Sequence, residues 1–238
     1  MTGLPLYDPD QPLIFIHVPK TGGISTREVF RDWFGRDMRL HYFNARRGGL
    51  PPRLDLDRLA RSGPAPLIYG HFNRARGFGV DQYYPGVRQF LTILRDPLEM
   101  HVSRYFFARR KAQAGQVIDG APHALSLEEF VETGPLNMLE HFPRPVTEGN
   151  YRAMLAGDFL HVGFLDHLGD SLRHMGRLLG KPAPAGLLPH LNQSPRALAI
   201  DPEQAARFRA RHALEYAVYD HARALFLPRQ SPVSEAAS

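Results

Sequence analysis

Residues 13–26 read LIFIHVPKTGGIST, and this stretch decides the fold. The run from Leu13 to His17 is short, apolar and rich in isoleucine, which is typical of a buried strand. The pair Gly22-Gly23 predicts a tight loop after it, and Ser25 or Thr26 is expected to cap the helix that follows. The apolar residues of that helix recur at helical spacing, as Val29, Phe30, Trp33 and Phe34.

Three further apolar runs predict buried strands, at Leu67 to Tyr69, Phe90 to Leu94 and Phe159 to Phe164. Helix signals lie between and after them. Asp96-Pro97 predicts an N-cap and a first-turn proline for a helix through about Lys111, Ser126-Leu-Glu-Glu129 is a capping box, and Asp201-Pro202 opens the last helix. Strands that alternate with helices at these intervals predict a mostly parallel sheet covered by helices on both faces.

The composition favours one soluble domain. The chain has 238 residues and 43% hydrophobic composition, enough for one sizeable core, so we expect a single domain over residues 1–227 and a disordered tail over 228–238. No stretch reads as a signal peptide or a membrane span. The absence of cysteine excludes disulfides, a thiolate nucleophile and a cysteine metal site, and together these features predict a cytoplasmic protein.

The formal net charge is +5, with 29 Lys and Arg against 24 acidic residues. This excess fits an anionic ligand or acceptor, and it equally fits an ordinary arginine-rich surface. The basic residues are dispersed, so the pattern does not indicate a nucleic-acid-binding arm.

The loop after the first strand has the chemistry of an anion site. Backbone N–H groups at a helix N-terminus point outward, the helix dipole adds positive charge, and glycine lets an oxyanion approach the main chain. Lys20 adds a full charge and the neighbouring hydroxyls add donors. A Walker loop reads GxxxxGK followed by Ser or Thr, whereas here the lysine precedes the glycine pair, so that template fails.

A second candidate anion site follows the strand that ends at Leu94. Arg95 can make a bidentate contact with a phosphate, and Ser103 lies eight positions later, about two helical turns along. Taken alone, this pair is better explained by an arginine that pairs with Asp96 or Glu99 and by an ordinary helical serine.

The two segments together resemble a known superfamily. LIFIHVPKTGGIST resembles the 5′-phosphosulfate loop of sulfotransferases that use 3′-phosphoadenosine 5′-phosphosulfate (PAPS), particularly the sulfotransferase family 2 group that includes heparan sulfate 2-O-sulfotransferases. The resemblance implies a P-loop-type three-layer α/β fold and places Lys20 at the oxygen that bridges phosphate and sulfonate. It also implies that the 5′-phosphate is held by Thr21, Gly22, Gly23, Ile24, Ser25 and Thr26.

LRDPLEMHVSRYF resembles the 3′-phosphate motif of the same superfamily, which implies that Arg95 and Ser103 bind the ribose phosphate that ATP lacks. A weaker match at residues 190–196 (HLNQSPR) makes Asn192, Ser194 and Arg196 candidates for a loop over the adenine and the 3′-phosphate. A surface turn without a ligand explains that segment equally well.

The candidate general base is His71, in the segment IYGHF at the end of a predicted strand. Strand ends in α/β folds open into the ligand crevice, and histidine titrates near neutral pH. The segment resembles the one that carries the catalytic histidine of the 2-O-sulfotransferase group, although Tyr69 stands where some relatives have an additional histidine. His17, by contrast, is expected to be packed in the sheet. We expect no metal site, because no metal-ligand motif appears.

These features predict a sulfotransferase that moves a sulfonate group from PAPS to a hydroxyl of a carbohydrate, a lipid or a small metabolite. Two alternatives remain: a phosphate-loop kinase that uses ATP and magnesium, which the missing Walker spacing disfavours, and a nucleotide-binding module without catalysis. The sequence does not specify the acceptor or the oligomeric state.

Overall fold

We describe a computed structural model of the chain over residues 4–44, 49–116, 124–184 and 200–230. Within these residues the fold has five β-strands and nine α-helices. The strands are β1 (Leu13–Ile16), β2 (Met38–His41), β3 (Leu67–Gly70), β4 (Gln89–Leu94) and β5 (Phe159–Phe164). The helices are α1 (Gly23–Phe34), α2 (Leu56–Ser62), α3 (Val80–Tyr83), α4 (Pro97–Gln113), α5 (Leu127–Thr133), α6 (Tyr151–Asp158), α7 (Leu168–Leu178), α8 (Pro202–Arg211) and α9 (Ala213–Phe226).

The five strands of the described residues form one sheet in the order β2-β3-β1-β4-β5. Every neighbouring pair is parallel, so all strands end at the same edge. The central strand β1 lies between β3 and β4, and Ile16, its last residue, is level with Gly70 and Thr92. The loops that follow β1, β3 and β4 therefore start side by side, at the place where ligand crevices of open α/β sheets form.

Alternate residues of β1 bury opposite faces of the sheet, as the two-residue period of a strand requires. Leu13 and Phe15 pack in a core with α1 and α7, whereas Ile14 and Ile16 pack in a second core with α6 and α9. The sheet is thus enclosed between two helical layers. The predicted three-layer α/β fold with a parallel sheet is confirmed.

A third apolar cluster joins α4, α5, α8 and α9 beyond the sheet. At its centre the His101 ring stacks on Phe130 at 4.0 Å between centroids and lies 5.2 Å from Phe208. The expected caps of these helices are present. Asp96 accepts from the Glu99 N–H at 3.0 Å, and Asp201 accepts from the Gln204 N–H at 3.0 Å.

Helix α1 begins earlier than predicted. Its N-cap is Gly22, in the left-handed region at φ 81°, and no side chain caps the helix. The expectation that Ser25 or Thr26 caps it is therefore wrong, because glycine tolerates positive φ and turns the chain into the helix before those residues.

The last predicted helix is also different, because it is two helices, α8 and α9, that meet at His212. At the carboxyl end of the described chain, Gln230 is buried, and its Oε1 accepts from the Ser171 hydroxyl at 3.2 Å. The remaining residues of the predicted tail, 231–238, lie outside the described residues, so the domain boundary stays a prediction. Over the described ranges, none of the helices has the length and apolar character that crossing a bilayer requires.

Candidate active site

The loop after β1 is held in a special conformation. Among the described residues, Lys20 is the one non-glycine residue with positive φ, at 70°. The Thr21 hydroxyl donates to the Val18 carbonyl at 2.7 Å, and the Thr26 hydroxyl donates to the Gly22 carbonyl at 3.2 Å. These two hydroxyls therefore brace the loop, and the donors it can direct at an anion are the N–H groups of the first helical turn, which have no acceptor in a preceding turn.

Two glycines make this loop sterically feasible. Gly22 has a positive φ, and a Cβ there would lie 2.8 Å from Leu165 Cδ1. A Cβ on Gly23 would lie 1.7 Å from His17 Nε2. Glycine at position 23 therefore leaves space for the His17 ring against the start of α1, and the helix N-terminus is in direct contact with the end of β1. Ile24, next in the helix, is half exposed.

Lys20 lies in a cluster of cations. Its Nζ is 4.2 Å from the centre of the Phe107 ring on α4. Burial, then repulsion by Arg110 and by Arg95, lowers the pKa of Lys20 to about 8. Since like charges this close cost free energy, the cluster is a place where a bound anion is stabilised.

The second predicted anion site lies beside the first. Arg95 follows β4 directly, and its Nε is 3.3 Å from Glu99 Oε2, so the ion pair that explains an isolated arginine is present. The arginine side chain is largely buried, whereas the Glu99 side chain is exposed. Ser103 is buried on α4, one turn before the Phe107 that contacts Lys20. The carboxylate that pairs with Arg95 is thus open to solvent, while the arginine side chain itself is not.

His71 directly follows β3 and has a defined tautomer. Its Nδ1 is 2.5 Å from the His17 carbonyl oxygen. A carbonyl oxygen only accepts hydrogen bonds, so Nδ1 carries the proton and Nε2 of the neutral ring carries the lone pair. Burial lowers the pKa of His71, and the bond to His17 partly opposes that shift. The imidazole is therefore neutral at pH 7 and has Nε2 available to accept a proton.

Tyr69 supports the loop rather than the base. Its ring is fully buried, and its hydroxyl donates to the Gly23 carbonyl at 3.0 Å. Tyr69 therefore braces the start of α1 through this hydrogen bond.

His141 is the second imidazole near the base, with its ring centroid 6.1 Å from that of His71. It is buried, and within the described chain neither ring nitrogen has a hydrogen-bond partner, although the Phe72 backbone lies nearby. Burial, with repulsion from His71, lowers the pKa of His141 to about 3. Despite these neighbouring histidines, the part of the chain that the structure describes contains no group of three or more His, Asp or Glu side chains placed to hold a metal ion.

Of the predicted site residues, the structure brings the loop from Lys20 to Thr26, His71, Arg95 and Ser103 to one edge of the sheet. Asn192, Ser194 and Arg196 lie outside the described residues, so their roles stay predictions. Sequence reasoning missed Arg110 and treated His17 as part of the sheet. The spacing of Arg110, seven residues after Ser103 and hence on the same helix face, is the signal that could have found it.

Comparisons with known proteins add little to this picture. No protein-family model and no curated protein matches the chain. Among solved structures, the chain is similar to mouse sulfotransferase SULT7A1 complexed with PAP, with 13% sequence identity and a TM-score of 0.47. The match covers 90% of this chain and 67% of the mouse chain. At this identity and TM-score, no residue role or substrate is transferred from one protein to the other.

Proposed function

We propose that this protein is a PAPS-dependent sulfotransferase that transfers a sulfonate group to an acceptor hydroxyl. One observation carries the proposal: Arg95 and Arg110 lie near Lys20, and Lys20 and His71, whose Nε2 is free of a proton, both lie near His17. Cations and a neutral base are what the transfer requires, because negative charge develops on the leaving phosphate while the acceptor hydroxyl loses its proton. Membership of the family 2 group and a cytoplasmic location belong to the same proposal.

The residues present fit a donor with phosphate groups at the 5′ and the 3′ positions of one adenosine. The glycine loop and the first turn of α1 suit the 5′-phosphosulfate, and Lys20 lies in that loop. Arg95 and Ser103, on the neighbouring strand end and helix, suit the 3′-phosphate. Two separate anion sites at one sheet edge favour this donor over ATP, which has no 3′-phosphate.

Two side chains of the protein, His71 and Lys20, have separate roles in the reaction. His71 Nε2 accepts the proton of the acceptor hydroxyl as the oxygen bonds to sulfur. The Lys20 ammonium stabilises the electron pair left on the phosphate oxygen when its bond to sulfur breaks. PAPS supplies an activated sulfonate, so the chemistry requires no metal. Carbohydrate, lipid and small metabolite all remain candidate acceptors.

The donor assignment is tested by calorimetry with adenosine 3′,5′-bisphosphate (PAP) and, separately, with magnesium ATP. We expect PAP to bind markedly tighter, and Arg95→Ala to weaken PAP binding by at least about tenfold, because a charge-assisted contact to phosphate is lost. The matched control is Arg88→Ala, at the opposite end of the same strand, where the exposed arginine donates to the Pro85 carbonyl. Equal or tighter binding of magnesium ATP would refute the donor assignment.

Catalysis is tested with sulfur-labelled PAPS and a panel of hydroxyl acceptors. We expect the wild-type protein to label at least one acceptor class, and Lys20→Ala and His71→Ala to abolish most of that transfer. Unchanged transfer in both variants would rule out the assigned roles, even if PAP binding were normal.

A further inference from the structure

The His71 ring is held by two other rings. The His17 ring stacks against it, with 4.2 Å between centroids and 29° between planes. The Tyr42 ring meets it edge-on, at 4.9 Å and 88°. With only one hydrogen bond, from Nδ1, the imidazole ring could still tilt. The contacts with the His17 and Tyr42 rings therefore decide the direction of Nε2.

The His17 ring is itself fixed on two sides. Its Nδ1 shares a hydrogen bond of 2.9 Å with the Tyr42 hydroxyl. Its Nε2 lies against the start of α1, in the space that Gly23 leaves open. Tyr42 follows β2 and His17 follows β1, so this hydrogen bond joins the ends of two strands that lie on either side of β3, the strand that His71 follows.

His17 is suited to support the base without competing for its proton. Burial lowers the pKa of His17 well below its ordinary value, and the nearby His71, His141, Arg27 and Lys20 lower it further. Burial also raises the pKa of Tyr42, so its hydroxyl stays protonated. The neutral His17 ring can therefore remain beside His71 while His71 gains a charge.

We infer that Tyr42 and His17 are positioning residues for His71. The Tyr42 hydroxyl anchors the His17 ring, and that ring holds the face of His71 so that Nε2 is directed at the acceptor hydroxyl. The inference rests on the proposed function, because it assigns His71 as the base. It adds that the anion loop and the base are joined by one side chain, since His17 contacts both Gly23 and His71.

The test is Tyr42→Phe, which removes the hydroxyl and keeps the ring edge. We expect kcat to fall about tenfold to a hundredfold, since small misplacements of a catalytic group have effects of this size. The KM for PAPS and the affinity for PAP are expected to stay within about twofold, because the donor loop is unchanged. Tyr105→Phe is the matched control: it removes a hydroxyl that donates to the Leu125 carbonyl at 3.0 Å, and it should leave kcat unchanged.

A double-mutant comparison separates positioning from general loss of structure. His17→Phe keeps a ring against His71 but has no Nδ1 for Tyr42 to bind, so adding Tyr42→Phe to it should lower kcat no further. Full kcat in Tyr42→Phe, or independent losses in the double variant, would overturn the inference while leaving the sulfotransferase proposal in place. A wild-type protein that transfers sulfonate to no acceptor would overturn the proposed function, and this inference with it.

Discussion

Raising the pH through about 8 is expected to weaken nucleotide binding through one residue, Lys20. Burial and the nearby Arg110 and Arg95 lower the pKa of its ammonium group to about 8. A bound phosphate favours the charged form and raises that pKa again. Binding above pH 8 therefore requires the uptake of a proton, and the affinity for the nucleotide falls as the pH rises.

The size of the effect follows from the titration of one group. With a pKa of about 8, about nine-tenths of the Lys20 side chains are charged at about pH 7 and about one-tenth at about pH 9. If binding requires the ammonium, the Kd for PAP rises about tenfold over this interval. His71 is neutral throughout the same range, because burial lowers its pKa, and so it adds nothing to the change.

Calorimetry at constant ionic strength measures this directly. Titrations of PAP at several pH values give the Kd. Repeats in two buffers with different ionisation enthalpies give the number of protons taken up for each PAP bound, which we expect to be about one-half at about pH 8. Lys20→Arg provides the control, because arginine stays charged over the whole range and its profile should be flat. A wild-type Kd that changes less than about twofold, or a Lys20→Arg profile as steep as the wild type, would refute the reasoning.

Two further predictions concern packing and acid stability. Gly23→Ala places a Cβ 1.7 Å from His17 Nε2, so the ring must move. We expect kcat to fall and the free energy of unfolding, measured by urea denaturation, to decrease by about 1–3 kcal/mol. Unchanged stability would contradict this prediction. Burial lowers the pKa of His101 to about 4, below its value in the unfolded chain, so its contribution to stability is complete above about pH 6.5 and is lost as the pH falls towards 4. Urea midpoints between about pH 7 and pH 4.5 should fall less steeply in His101→Phe than in the wild type, and equal slopes would show that His101 does not control the loss.

Local patterns were sufficient for much of the fold. The strand-loop-helix unit at β1 and α1, the runs at β3, β4 and β5, and the caps at Asp96, Ser126 and Asp201 all follow from residues close together in the chain. These signals act over a few residues, so they can be read without knowing the rest of the molecule. The N-cap of α1 was missed because serine and threonine are the commoner caps, and here glycine geometry prevails.

Other elements carry too weak a local signal. Strand β2 has four residues, MRLH, and as an edge strand it is only partly buried, so its apolar pattern is faint. It is a strand because it pairs with β3, where Gly70 lies so close to His41 that a Cβ would be 1.8 Å from its carbonyl oxygen. Pairing of this kind joins residues far apart in sequence, and no local window contains it.

The sequence alone determined the chemistry that is available: a glycine loop with a lysine, an arginine and a serine two turns apart, and a histidine at a strand end. Only the tertiary structure decided how these groups act together. It placed Arg110 near Lys20, fixed the tautomer of His71 through the His17 carbonyl, and linked His17 to Tyr42. The physical reason is that charge repulsion, burial and hydrogen bonding depend on distances in space, and those are set when β1, β2, β3 and β4 pair side by side.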